Sequence, residues 1–321
     1  MKHQIKHKLC LIFGLVVNLI QLNAQLDHER VYIQDSLLIN DIWRTFEYHI
    51  PQFPGNSCRL VFVLHDAEMN SRAIQELTGF EFNRLADKTA GTIVVYPQGH
   101  NNDWNIADKT HLDGIDDLQF IKSIVRRMER RYDIDRSNVF AVGYFKGGNL
   151  CYTLAEEIPE FFKGFAIIGA NMPSISHRTN THVVKPTSIM VINDMRDSYN
   201  LFNGHKHIPL EKREYNIEKS TNESFEHWLQ HLDQGKRLSA PIEYIIKKSN
   251  SLAYRFDYFN RENSKLVSLI KIENGGYSFP NPNAMKWPQA GQNSNKQINI
   301  PELVMDYFYR LQYEVNMNMG K

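Results

Sequence analysis

Five short apolar runs constrain this chain more than anything else in it: Arg59–His65 (RLVFVLH), Thr92–Pro97 (TIVVYP), Asn138–Val142 (NVFAV), Phe165–Gly169 (FAIIG) and Thr187–Asn193 (TSIMVIN). Their near-continuous apolar character fits strands covered on both faces. Helix-like segments alternate with them, which is the pattern of a mainly parallel α/β sheet. Later runs at Glu243–Lys247, Tyr254–Phe259 and Leu266–Ile272 complete the sheet. The best helix covers Asp116–Arg131, where Leu118, Ile121, Val125 and Met128 share one face. Asp116 and Asp117 open it and Arg126, Arg127, Arg130 and Arg131 close it, which suits the helix dipole at both ends. The arginine cluster reads as a solvated helix end rather than an anion site.

No repeat, low-complexity tract or Pro/Gly-rich linker divides residues 40–315, so one domain is expected over residues 25–321. Lys plus Arg number 37 against 36 Asp plus Glu, a net charge of +1 that leaves no broad footprint for nucleic acid or an anionic membrane. The N-terminus reads as an address. Lys2, Lys6 and Lys8 precede an apolar run from Leu9 to Ile20, followed by Leu22-Asn23-Ala24. This is the layout of a secretory signal peptide over residues 1–24, and the run is short of the roughly 20 residues a membrane span needs. Cleavage removes three lysines and no acids, taking the net charge from +1 to −2. The mature protein is expected to be exported, periplasmic or extracellular, with no stable membrane insertion. Of three cysteines, Cys58 and Cys151 remain after cleavage, and two free thiols are expected. The stretch Ser198–Arg213 is polar and unpatterned and reads as an excursion over the sheet edge.

The run NVFAV leads into Gly143-Tyr144-Phe145-Lys146-Gly147-Gly148 and then a helical segment beginning near Asn149. Strand, tight glycine-rich turn and helix is the setting of a nucleophile elbow, whose pattern is Gly-x-Ser-x-Gly. Here the central residue is Phe145, which has no group that can attack a carbonyl. If the strained turn survived, so bulky a residue would be costly in it. The expectation is therefore a relaxed turn or a tightly packed Phe145.

At these residues the sequence resembles the secreted polyhydroxybutyrate depolymerase and feruloyl esterase-like α/β-hydrolases. The resemblance runs from about Arg44 to Leu311 and rests on LHDAE from Leu64, LTGF from Leu77, VVYPQG from Val94 and Asp103-Trp104-Asn105. DGIDD from Asp113, VFAVGYFKGGNL from Val139, INDMRDS from Ile192 and IENGGYSFP from Ile272 complete it. It implies an α/β-hydrolase fold with a Ser-Asp-His triad and no cofactor. Carried over by position, the serine falls on Phe145, the acid on Asp197, the histidine on Tyr277 and the oxyanion-loop glycine on Asp66, with Lys146 following the elbow residue. Without the serine no acyl-enzyme forms. Tyrosine, with a pKa of roughly 10, cannot act as a base like imidazole near neutral pH. A carboxylate at Asp66 would oppose a developing oxyanion with like charge.

The leading expectation is an exported, catalytically degenerate hydrolase that keeps a pocket for an ester, phenolic or glycan-derived ligand, an oligosaccharide or polyester among them. His65, Trp104, Phe145 and Tyr277 are the candidate lining, their aromatic faces suited to stacking. For Phe145 a packed residue plugging the former pocket stands level with a lining role. The alternative is an active carboxylic-ester hydrolase with a non-standard constellation. His205 and His207 form an HxH pair near Asp197, but no further acid or cysteine sits at ligand-like spacing, and no metal is expected. A protein-interaction or regulatory role on the exported surface is a third expectation, with the Ser198–Arg213 excursion as its extra surface.

Overall fold

The computed structural model describes residues 32–89, 91–106, 114–173, 185–195, 202, 219–233, 240–248, 251–273 and 298–313. The chain divides after Ile33 into residues 1–33, of which the last two are described, and one compact unit from Gln34 to Lys321. The expected signal peptide lies outside the described residues. So does the Ser198–Arg213 excursion, apart from Phe202.

The strands are β1 (Tyr32–Ile39), β2 (Ile42–His49), β3 (Cys58–Leu64), β4 (Thr92–Pro97), β5 (Ile134–Tyr144), β6 (Gly164–Ile168), β7 (Ser188–Asp194), β8 (Ile242–Lys248), β9 (Ser251–Asn260) and β10 (Lys265–Glu273). They form one sheet in the order β1-β2-β4-β3-β5-β6-β7-β10-β9-β8. Pairing is parallel from β4 through β3, β5, β6 and β7 to β10, and antiparallel where β2 meets β4 and along the β10-β9-β8 meander. Every residue of β3, β4, β6 and β7 is buried, as their unbroken apolar runs require. Fully burying one such side chain contributes about 1.5–3 kcal/mol.

The helices are α1 (Ser71–Leu77), α2 (Glu81–Thr89), α3 (Asp117–Arg131), α4 (Lys146–Glu157), α5 (Thr221–Asp233) and α6 (Ile300–Tyr313). α3 starts as its sequence predicts. Asp116 caps it, its side chain accepting from the Gln119 N–H at 2.8 Å, and Phe120, Ile121, Ile124, Val125 and Met128 are buried. At its far end Arg131 donates to the Asp35 carboxylate at 2.9 Å and to the Tyr48 hydroxyl at 3.0 Å, so one arginine of the cluster is held by β1 and β2. α4 begins at Lys146, three residues earlier than its sequence predicts. α6 lays Val304, Met305, Tyr307, Phe308 and Leu311 against the sheet, with Phe308 stacked on Phe140 at 4.6 Å between centroids.

Cys58 and Cys151 are free and buried, and burial pushes both thiols above the ordinary range. They are inert by that measure. No helix among the described residues is long and apolar enough to cross a membrane.

Candidate functional site

The site grows out of one pairing. β3 and β5 run parallel with Leu64 opposite Gly143, so the chain beyond each strand emerges side by side. Beyond β3 come His65, Asp66 and Ala67; beyond β5 come Phe145 and Lys146. Two glycines let the segments close up. A Cβ on Gly143 would lie 2.1 Å from the Gly147 oxygen, and one on Gly147 would lie 2.4 Å from the Leu64 oxygen. Neither position can hold a side chain without moving backbone, which is why the Gly-x-x-x-Gly frame of an elbow is present.

The turn is not relaxed. Phe145 sits at φ 45° and ψ −109°, a left-handed conformation that costs a non-glycine residue about 1–3 kcal/mol. This corrects one of the two expectations for the elbow: the frame holds the strained geometry around a phenylalanine. The Phe145 N–H donates to Ile168 O at 2.9 Å, and Phe145 O accepts from the Asn149 N–H at 2.9 Å as α4 begins. The ring is half-buried against the core and lies over Gly169, where an added Cβ would come within 2.8 Å of it. Packing thus holds Phe145, while part of its ring stays exposed.

The segment after β3 closes on the same point. Asp66 Oδ1 accepts from the Ala67 N–H at 2.8 Å and from the Lys146 N–H at 3.0 Å. These are the positions of the two donors of an elbow-type oxyanion hole, one in the loop after the strand and one directly after the elbow residue. The Asp66 carboxyl, half-exposed, is held above its ordinary range because burial outweighs the two N–H bonds and the Lys146 charge, while Asp103 pushes the same way as burial. The Lys146 ammonium leans toward Asp103, 4.0 Å from its Oδ1.

His65 and Trp104 do not line a pocket, which corrects their expected role. His65 is fully buried and Trp104 is 2% exposed, so neither offers a face to a ligand. Both hold the loop instead. His65 Nε2 accepts from the Gly99 N–H at 2.9 Å, and its Nδ1–H donates to Asp66 O at 2.6 Å. Burial keeps this imidazole neutral, its pKa down to about 4. The Trp104 indole N–H donates to His65 O at 2.8 Å. A buried ion pair completes the support: Arg44 Nη2 donates to Asp117 Oδ1 at 2.6 Å and to Gln98 O at 3.1 Å, and Asp117 Oδ2 accepts from the Asn105 N–H at 2.7 Å.

Of the residues expected to carry chemistry, the structure brings Asp66, Phe145 and Lys146 together. Asp197, Tyr277, His205 and His207 lie outside the described residues. Sequence reasoning missed Ala67, whose contribution is a backbone N–H. Its only sequence signal is its place two residues after the histidine that ends the strand run.

No protein-family model matches the sequence. A putative esterase, NocK, from Nocardia uniformis subsp. tsuyamanensis is 22% identical over 277 residues, covering 82% of this chain and 79% of the relative. A probable feruloyl esterase C from Aspergillus clavatus is 28% identical over 156 residues, 47% of this chain and 52% of its own length. The chain therefore spans about half of that second relative. Among solved structures, an acetyl xylan esterase from Aspergillus awamori superposes with a TM-score of 0.56 at 14% identity, covering 86% of this chain and 99% of its own. The fold is an α/β-hydrolase fold, and both sequence relatives are named as putative or probable esterases.

Proposed function

We propose that this protein is an exported, esterase-like α/β-hydrolase that has lost acyl transfer and binds rather than cleaves. The observation that carries this reading is Phe145 at φ 45°, in the strained position from which an elbow presents its nucleophile. A phenyl ring there supplies neither an attacking atom nor a proton to remove. The resemblance to polyhydroxybutyrate depolymerases and feruloyl esterases, together with relatives named as esterases, points to ligands built like their substrates: esters, phenolics and glycan-derived oligomers. With His65 and Trp104 turned inward, half-buried Phe145 is, among the described residues, the lining candidate that keeps some exposure at the elbow. Export follows from the signal-peptide pattern of residues 1–24.

The test is p-nitrophenyl acetate hydrolysis by the purified protein beside an Asp197→Ala control. The expected rate is that of the buffer blank for both. A saturable rate that falls in the control would instead establish an ester hydrolase working through a different nucleophile.

A further inference from the structure

The elbow of an esterase keeps two backbone N–H groups open for the oxygen that gains charge during acyl transfer. In this protein the corresponding pair, Ala67 N–H and Lys146 N–H, is already spent. Both point at a single atom, Asp66 Oδ1, at 2.8 and 3.0 Å. These are normal lengths for an N–H bond to a carboxylate oxygen.

Three features fix the main chain that brings Asp66 to the two donors. Its own carbonyl accepts the Nδ1–H of buried His65 at 2.6 Å, which holds the Asp66 main chain beside the two donors. The Glu68 N–H donates to Asn102 O at 2.8 Å and the Met69 N–H to Asp66 O at 3.3 Å, which ties the loop down on the far side. The Lys146 N–H is fixed by α4 and by the glycine frame around it.

We infer that Asp66 is a built-in ligand of the oxyanion-type donor pair, and that it determines the specificity of the site by excluding oxyanions and ester carbonyl oxygens from the elbow. An incoming anion would have to displace a carboxylate that is already in place and gives up little freedom to bind. It would also meet the negative charge of that carboxylate once displaced, with Asp103 nearby. Placing a hydroxyl at position 145 would therefore not restore a working site. This inference stands apart from the loss of the nucleophile, since it concerns what the two N–H groups can receive.

The test reads those amides directly, without any hydrolysis, by 1H–15N NMR of the labelled chain titrated with phenylphosphonate at pH 8. In the wild type the Ala67 and Lys146 cross-peaks should stay still. In Asp66→Gly both should move together and saturate with the ligand. In Asp66→Asn they should stay near their wild-type positions and ignore phenylphosphonate, because the amide oxygen accepts both bonds. Saturable movement in the wild type, or none in a folded Asp66→Gly, overturns the inference. If Asp66→Gly does not fold, the wild type still decides. As the Asp66 carboxyl is protonated, with Asp103, Lys146 and His65 the other titratable groups around it, the two amides should shift with one shared midpoint that Asp66→Asn abolishes. Separate midpoints, or no shift, overturn it equally. Ester hydrolysis by the wild type would remove the binding-only reading and leave the amide result to be judged alone.

Discussion

The indole N–H of Trp104 donates to the carbonyl oxygen of His65 at 2.8 Å while the two rings pack with centroids 4.7 Å apart. His65 in turn uses both ring nitrogens on backbone, one accepting from Gly99 and one donating to Asp66. Only the neutral ring, with its hydrogen on Nδ1, satisfies both neighbours. A proton on Nε2 would aim at the Gly99 N–H.

That arrangement sets an acid limit on stability. The His65 pKa falls from 6.5 to about 4 on folding, so the unfolded chain binds the extra proton first as pH drops. The stabilisation is whole above the unfolded value and is lost between pH 6.5 and about 4. His227 is also lowered to about 4 by burial and acts in the same direction. In urea unfolding at pH 7.5 and 4.5, His65→Gln should lose less stability than the wild type, by about 2 kcal/mol. An unchanged acid loss would mean that His65 does not hold the loop as a neutral clamp.

At the elbow the usual order of glycine and alanine should invert. Phe145→Ala discards the ring packing on Gly169 and keeps the positive φ, so it should cost about 1–3 kcal/mol. Phe145→Gly loses the same ring but adopts φ 45° freely, and should be about 1 kcal/mol more stable than the alanine variant. Chemical denaturation of the pair measures this; a glycine variant weaker than alanine would mean the turn carries no strain.

Arg44 and Asp117, with side chains 3% and 1% exposed, join β2 to the start of α3 and to the loop carrying Asn105. Arg44→Met should cost about 3–5 kcal/mol, because it strands a buried carboxylate. Adding Asp117→Asn should recover part of that loss. Thermal or urea unfolding of the single and double variants is the check, and equal instability of the two would place the cost in lost packing instead.

Asp66 gives a pH dependence of opposite sign to His65. Its carboxyl is raised in the folded state, so the folded chain binds the proton more tightly and wild-type stability declines as pH rises from 3.8 through the folded value. Asp66→Asn lacks that decline while keeping an acceptor for both N–H groups. Relative to the wild type, it should gain stability between pH 4 and pH 8 in matched urea titrations. A difference that stays flat with pH would mean that folding does not raise the affinity of the Asp66 carboxyl for its proton.

How much of this could be read beforehand depends on what each feature is made of. The buried strands were legible because coverage on both faces leaves an unbroken apolar run, as in RLVFVL and TIVVYP. The helix Asp117–Arg131 was legible because one buried face recurs at helical spacing and Asp116 marks its start. The β1–β2 hairpin went unread. β2 buries only Arg44, Phe46, Tyr48 and His49 of its length, so its signal is diluted by polar residues. Its turn residues Asn40 and Asp41, both at positive φ, were the available clue. His65 was placed at the end of its strand and Trp104 near the elbow, but their side chains turn into the loop instead of toward a ligand, because a sequence does not say which way an indole turns. For Asp66 the sequence predicts a carboxylate beside the hole; its return onto Ala67 and Lys146 depends on where two backbone N–H groups point.

Both of those donors belong to the main chain, and Gly143 and Gly147 let the segments that carry them pack backbone against backbone. Side-chain replacement can change what the pair holds, whereas the pair itself persists as long as the chain folds. The elbow of this protein is thus a receptor kept in reserve with its own stopper in place. An evolutionary return to acyl transfer would need that stopper drawn as well as a new attacking group installed.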